Sequence, residues 1–247
     1  MANLVVDIGN SRSKLAVFDE HQLIHTEAFT GLHLKDVEKL LDQYQVTHSI
    51  LSNVTGFDEQ LETLLKDRTY YLRFSSKLSA GIHLNYRTPE TLGLDRLAGV
   101  IAAHALLPGQ NCLVIDAGTC ITYDLVDSQG NYNGGSISPG LDMRLKAMHT
   151  FTGKLPLIEK TDGFADSVGQ DTRTSMLTGV LEGAVHEVRG FIEQYNAKYT
   201  QVQVILCGGD AEFFDTRLKN SIFAHSVKTE LHLVLIGLNE VIHHYND

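Results

Sequence analysis

Two short stretches carry chemically useful residue types at the spacing of a single turn. "VVDIGNSRSK" (5–14) and "VIDAGTCITY" (114–123) each run two aliphatics, an Asp, one further residue, a Gly and then a small polar residue. Gly9 and Gly118 allow a tight turn and let a ligand come close to the backbone. Successive N–H groups in such a turn form an anion nest. Asn10, Ser11, Thr119 and Thr122 add hydroxyl or amide donors for phosphate oxygens, and Lys14 can meet a phosphate with its charge. Asp7 and Asp116 would repel a phosphate. Beside one, they make sense as ligands of a cation, directly or through water. Read singly, each stretch is a hairpin with Asp-Gly turn chemistry. Two copies, one opening each half of the chain, point instead to a duplicated unit and two similar lobes.

The elements that must carry these turns are legible from periodicity. Strands are expected at Leu4–Asp7, Leu15–Phe18, "HQLIHTEAF" and "HSILSNV", with a helix over "LKDVEKLLDQYQ". "YRTPETLGLDR" (86–96) reads as a loop broken by Pro89 and Gly93. It runs into an apolar helix, "LDRLAGVIAAHALL", with Asp95 and Arg96 in its first turn. By residue type alone Asp95 is a helix cap and Arg96 a surface arginine. "PGQ" at 108–110 marks the boundary between an N-terminal lobe, 1–110, and a C-terminal lobe, 111–247. Beyond it come the strands "NCLVIDAG" and "CITYDLVD", a turn at "SQGNY", and a Gly-rich loop, "GGSISPG" (134–140). A helix over "LDMRLKAMHTF" follows, then a long loop (152–172) and the longest helical pattern, "SMLTGVLEGAVHEVRGFIEQYNAKY". The buried strand "QVQVILCGGD" ends in two glycines that leave room for a ligand. "LHLVLIGLNEVIHHY" closes the chain as a helix.

Composition narrows the function. The chain has 247 residues, 43% hydrophobic and 8% aromatic, with a formal charge of −10. That fits a globular chain with a real core, and the charge argues against a nucleic-acid-binding surface. No apolar run reaches membrane-spanning length, and no signal peptide is expected. Cys112, Cys120 and Cys207 form no CxxC pair and read as small buried hydrophobes. His243 and His244 read as surface residues. Walker A, G-x-G-x-x-G, H-E-x-x-H and G-x-S-x-G patterns are all missing from the sequence.

Six segments in order, "DIGNSRSK" (7–14), "YRTPETLGLDR" (86–96), "DAGTCIT" (116–122), "GGSISPG" (134–140), "GQDTRTSMLTG" (169–179) and "CGGD" (207–210), resemble those of type III pantothenate kinases. That family belongs to the acetate and sugar kinase, Hsp70 and actin superfamily. Ser11 stands where the family usually has Thr, and Cys207 where a Thr is common. The resemblance implies an α/β fold of two ribonuclease-H-like lobes with a nucleotide cleft between them. It implies ATP-dependent phosphorylation of pantothenate to 4'-phosphopantothenate, at the entry to coenzyme A synthesis. By the same resemblance Asp95 is the catalytic base, and Tyr86, Gly93, Leu94, Asp95, Arg96 and Thr172 contact pantothenate. Asp7, Ile8, Gly9, Asn10, Ser11, Arg12, Ser13, Lys14 and Thr119 hold ATP, and Asp116 binds a metal. Magnesium would accompany ATP, with potassium or ammonium as a monovalent cation. The expected assembly is a cytoplasmic homodimer, with the pantothenate site near the subunit interface and neither nucleic acid nor membrane as a partner. The rival readings are another small-molecule kinase of the superfamily and a non-catalytic transcription accessory factor.

Overall fold

The computed structural model describes residues 2–9, 12–54, 56, 58–161, 164 and 167–246. By backbone contacts the chain forms two units. The first holds 1–109, 129–133 and 232–247, and the second 110–128 and 134–231. Two consecutive halves, 1–110 and 111–247, therefore do not describe the division. The closing helix and five residues at 129–133 return to the first unit.

The first unit is built on β1 (Ala2–Ile8), β2 (Ser13–Asp19), β3 (Gln22–Phe29), β4 (His48–Asn53) and β5 (Tyr70–Arg73). They form a sheet in the order β3-β2-β1-β4-β5. β1–β2 and β2–β3 are antiparallel, and β1–β4 and β4–β5 are parallel. Leu4, Val6, Leu15 and Val17 meet Val37, Leu40 and Leu41 of α1 (Leu34–Tyr44) and Leu61 and Leu65 of α2 (Glu59–Arg68) in one core. Asp58 caps α2, its carboxylate accepting the Leu61 amide at 3.1 Å.

After β6 (His83–Leu84) and a 3-10 turn at Pro89–Thr91 comes α3 (Leu94–Leu106), buried continuously from Arg96 to Ala103. A helix this apolar must be covered. The cover is the chain's last helix, Leu233–Asn246, whose Gly237 lies so close to α3 that a Cβ there would stand 1.9 Å from the Ala98 carbonyl oxygen. That packing explains why the C-terminal segment joins the first unit.

The second unit repeats the plan. Its sheet contains β7 (Cys112–Ala117), β8 (Cys120–Val126), β9 (Asn131–Pro139), β10 (Gln203–Cys207) and β11 (Val227–Thr229). Read from the other edge, the order β9-β8-β7-β10-β11 matches that of the first sheet. Its core gathers Leu113, Ile115, Tyr123 and Leu206 with Leu145 of α4 (Leu141–Phe151), Leu177, Leu181 and Val188 of α5 (Thr172–Lys198) and Phe214 of α6 (Ala211–Leu218). The closing helix is α7 (Leu233–Asn246).

One sequence expectation is corrected. "GGSISPG" is not a loop: residues 134–139 continue β9, with exposure alternating along the strand. The alternation escapes a hydropathy reading because Gly and Ser give little contrast between faces, and pairing with neighbours overrides weak local propensity. Among the described residues no helix is long and apolar enough to cross a membrane.

Candidate functional site

Asp7 sits near the end of β1, in the centre of the first sheet. Its partner on β2 is Lys14 and its partner on β4 is Ser52. Burial pushes the Asp7 carboxyl above the usual carboxylate range. A hydrogen bond with Ser52 and the charge of Lys14 work the other way, and the negative charge of Asp95 raises it further. The turn closes with the Gly9 amide donating to the Arg12 carbonyl at 3.1 Å. Ile8 and Gly9 are half-buried, Arg12 is exposed and Ser13 is buried. Asn10 and Ser11 lie outside the described residues.

Asp95 is exposed, the second residue of α3, and it does not cap the helix. The cap position belongs to Gly93, and the Asp95 Oδ1 accepts the backbone amide of Arg96 at 2.8 Å. A Cβ on Gly93 would stand 2.6 Å from that same Oδ1. The glycine therefore keeps the carboxylate where it is, next to half-buried Leu94. Arg96 is not a surface arginine: it is 7% exposed. Its guanidinium lies 5.9 Å from the centre of the Tyr86 ring. Tyr86 in turn stacks on fully buried Tyr132, with ring centres 6.2 Å apart and planes 8° from parallel. Tyr132 was not singled out from sequence, since its pairing through β6 and β9 is invisible there.

In the second unit Asp116 occupies the corresponding place near the end of β7, opposite Thr122 on β8 and Cys207 on β10. Thr122 is 9% exposed, and among the described residues its hydroxyl has no hydrogen-bond partner. Cross-strand partners share a face of the sheet, so Asp116 and Thr122 present two oxygen donors together. The neighbouring backbone is pressed tightly around them. Gly208, at φ +89°, has no room for a Cβ, which would lie 2.4 Å from both the Asp116 Oδ1 and the Ala117 carbonyl. Gly140 is equally tight against the Gly118 and Thr119 carbonyls, and its amide donates to Thr119 at 3.1 Å. Three segments read separately in the sequence, "DAGTCIT", "GGSISPG" and "CGGD", thus converge on one turn. Thr119 is exposed in it. Lys160, from the long loop, pairs with Asp210 beside the glycines.

Thr172, exposed, is the first residue of α5 behind the Asp171 cap. The residues assigned to pantothenate are thus divided, Tyr86 to Arg96 in the first unit and Thr172 in the second. Among the described residues no three His, Cys, Asp or Glu side chains form a metal cluster. Magnesium needs none, because it keeps waters and takes one or two carboxylates together with substrate phosphates. His244 is exposed, but His243 is half-buried, stacked on His21 at 4.1 Å and bonded to the Glu20 carbonyl oxygen.

Residues 3–194 match the model of the type III pantothenate kinase family. The chain belongs to that family. A type III pantothenate kinase of Bacteroides fragilis strain YCH46 is 44% identical over 99% of this chain and 98% of its own length. Among solved structures, a Campylobacter jejuni protein described as a candidate Baf family transcriptional activator superposes with a TM-score of 0.60 at 22% identity, covering 97% of each chain. The (R)-2-hydroxyglutaryl-CoA dehydratase component A of Acidaminococcus fermentans does so with a TM-score of 0.52 at 12% identity, covering 98% of this chain and 96% of its own. At such identities the structural likeness speaks for the α/β fold alone.

Proposed function

We infer that this chain transfers the γ-phosphoryl group of ATP to the terminal hydroxyl of pantothenate, giving 4'-phosphopantothenate for coenzyme A synthesis. Family membership over nearly the whole chain supports the activity. The observation that carries the residue roles is the start of α3, where an exposed carboxylate and a buried guanidinium stand on adjacent residues, with Asp7 close enough to feel Asp95.

Phosphoryl transfer asks a protein mainly for positioning, charge neutralisation and a proton acceptor. Asp95 accepts the proton of the pantothenate hydroxyl. Arg96, held over Tyr86, forks onto the pantothenate carboxylate, and Thr172 adds a hydroxyl to the same substrate. The turn from Ile8 to Lys14, with Thr119 of the second turn, holds the phosphates. Asp7 would hold magnesium, directly or through water, and the metal would supply charge neutralisation for the phosphates. Asp116 and Thr122 offer hard oxygens to potassium or ammonium, which suits a buried hydroxyl with no hydrogen-bond partner among the described residues. The proposal also includes a cytoplasmic homodimer; the net charge of −10 fits the expectation of no nucleic-acid partner.

The test is formation of phosphopantothenate from ATP and pantothenate by the purified full chain, with and without potassium. Magnesium-dependent product, increased by potassium, is the expected result. Folded protein that phosphorylates a sugar or acetate but not pantothenate overturns the reading.

A further inference from the structure

A second polar centre lies in the second unit, built of side chains given no role above. Glu187 of α5 receives three side-chain donors. The Tyr123 hydroxyl reaches its Oε1 at 2.8 Å, the Ser138 hydroxyl reaches the same oxygen at 2.5 Å, and Arg144 Nη2 reaches Oε2 at 2.6 Å. Arg144 also donates from Nη2 to Ser138 Oγ at 2.7 Å and from Nε to the Pro139 carbonyl oxygen at 2.7 Å. Burial would raise the Glu187 carboxyl, but the hydrogen bonds of Ser138, Arg144 and Tyr123 and the Arg144 charge outweigh it and hold it below its ordinary value. Such a network fixes its members when every donor and acceptor is used.

What it fixes is the residue before Gly140. Pro139 is gripped through its carbonyl. The next amide, Gly140 N, donates to Thr119 O, and the Gly140 carbonyl accepts the Arg144 amide at 3.0 Å. Thr119 belongs to the Asp116 turn, against which Gly140 packs with no space for a side chain. We propose that Glu187, acting through Arg144 and Pro139–Gly140, is a positioning residue for the Asp116 turn, and so governs use of ATP and the monovalent cation but not of pantothenate. The inference rests on reading that turn as part of the nucleotide and cation site.

The experiment compares full-length Glu187→Gln, Arg144→Lys and Tyr123→Phe proteins, with Asp116→Ala as reference, in steady-state assays varying ATP, pantothenate and potassium. Glu187→Gln keeps an acceptor for Tyr123 and Ser138 but loses the charge that orients Arg144. Arg144→Lys keeps the charge and loses the Nε donor to the Pro139 carbonyl oxygen. Each is expected to raise the KM for ATP about tenfold, the lower end for partners that orient a ligand-bearing group. Each should also raise the potassium concentration needed and leave the KM for pantothenate within about twofold. The double variant should be no worse than the worse single one. Tyr123→Phe removes a donor to Glu187 without touching Pro139, so it should lower the melting temperature and leave the KM for ATP unchanged. Should Glu187→Gln fail to fold, Arg144→Lys carries the same test. Unchanged ATP KM in the folded variants beside an impaired Asp116→Ala protein overturns the role of Glu187 alone. So does an equal rise in both KM values, or a Tyr123→Phe protein that behaves like Glu187→Gln. An Asp116→Ala protein with normal ATP and potassium dependence overturns the reading of the turn itself.

Discussion

Asp7 and Asp116 lie near the ends of the central strands of two sheets with the same strand order, yet different chemistry surrounds them. The β2 partner of Asp7 is a lysine and its β4 partner a serine; the corresponding partners of Asp116 are a threonine and a cysteine. The source of the first difference is turn length. Between paired strand residues the first turn holds residues 9–12 and the second only 118–120. Aligning the two sequences at their aspartates sets Lys14 against Tyr123. In the structure the shorter turn moves the register by one residue, so Thr122 takes the place of Lys14 and Tyr123 points into the core, fully buried. The longer turn thus sets a lysine across from its aspartate, and the turn shorter by one residue sets a threonine there.

The largest effect is expected at a residue that belongs to neither turn. Asp95→Asn keeps the shape of the side chain and its acceptor for the Arg96 amide, but removes the base. Turnover should fall by about 10²-fold or more with ATP binding preserved, and near-normal steady-state turnover would remove the base role. This sharpens the comparison, because both turns would remain intact while chemistry stops.

A smaller effect separates the turns by their packing. Gly208→Ala places a Cβ 2.4 Å from the Asp116 carboxylate at a φ of +89°, whereas a Cβ on Gly9 meets the Arg12 carbonyl at 3.1 Å. Gly208→Ala should cost about 1–3 kcal/mol, and Gly9→Ala clearly less. Thermal melting of the two proteins checks this; equal losses would mean that the backbone packed against Asp116 at Gly208 is no tighter than that at Gly9.

The smallest effects are in pH dependence, and they have opposite signs. The surroundings of Asp7 disfavour its charged form, so ionised Asp7 costs stability at neutral pH, a cost relieved as pH falls through its raised value toward 3.8. Glu187 is held below 4.5, so its contribution is present above that value and is lost as pH falls through the lowered one. Asp7→Asn should therefore raise the melting temperature at pH 7 while weakening magnesium-dependent ATP binding. Glu187→Gln should flatten the acid side of the profile. A stability loss in Asp7→Asn at pH 7 would contradict the first sign, and an unchanged acid limb in Glu187→Gln the second.

Much of this fold could be read from periodicity. β1, β4, β7 and β10 are short buried apolar runs, and α1 and α3 show their apolar residues at helical spacing. α2 escaped because only Leu61, Leu65 and Glu62 of its ten residues are buried, leaving a mostly charged pattern. β9 escaped because glycines and serines hide its alternation. In the site, Asp7 and Asp116 stand out as residue types in unusual settings, while Asp95 and Arg96 stand out only through the family resemblance. Ser52, Tyr132 and Glu187 do not, since each matters through a partner brought to it by strand pairing or helix packing across a long sequence separation. The burial of Arg96 was equally hidden: it depends on α3 being enclosed and on the Tyr86–Tyr132 stack, neither of which leaves a local trace.

The division of labour between the two turns has one direct test, calorimetric titration of ATP into Asp7→Ala and Asp116→Ala proteins under crossed conditions. Each protein is titrated with magnesium or a chelator, and with or without potassium. The expected result is a crossed pattern. Asp7→Ala loses most of the affinity that magnesium adds and keeps the effect of potassium, while Asp116→Ala loses the potassium effect and keeps that of magnesium. If both substitutions weaken ATP binding equally under all four conditions, the two acids are turn residues of the same kind, and the proposed difference between the turns is wrong.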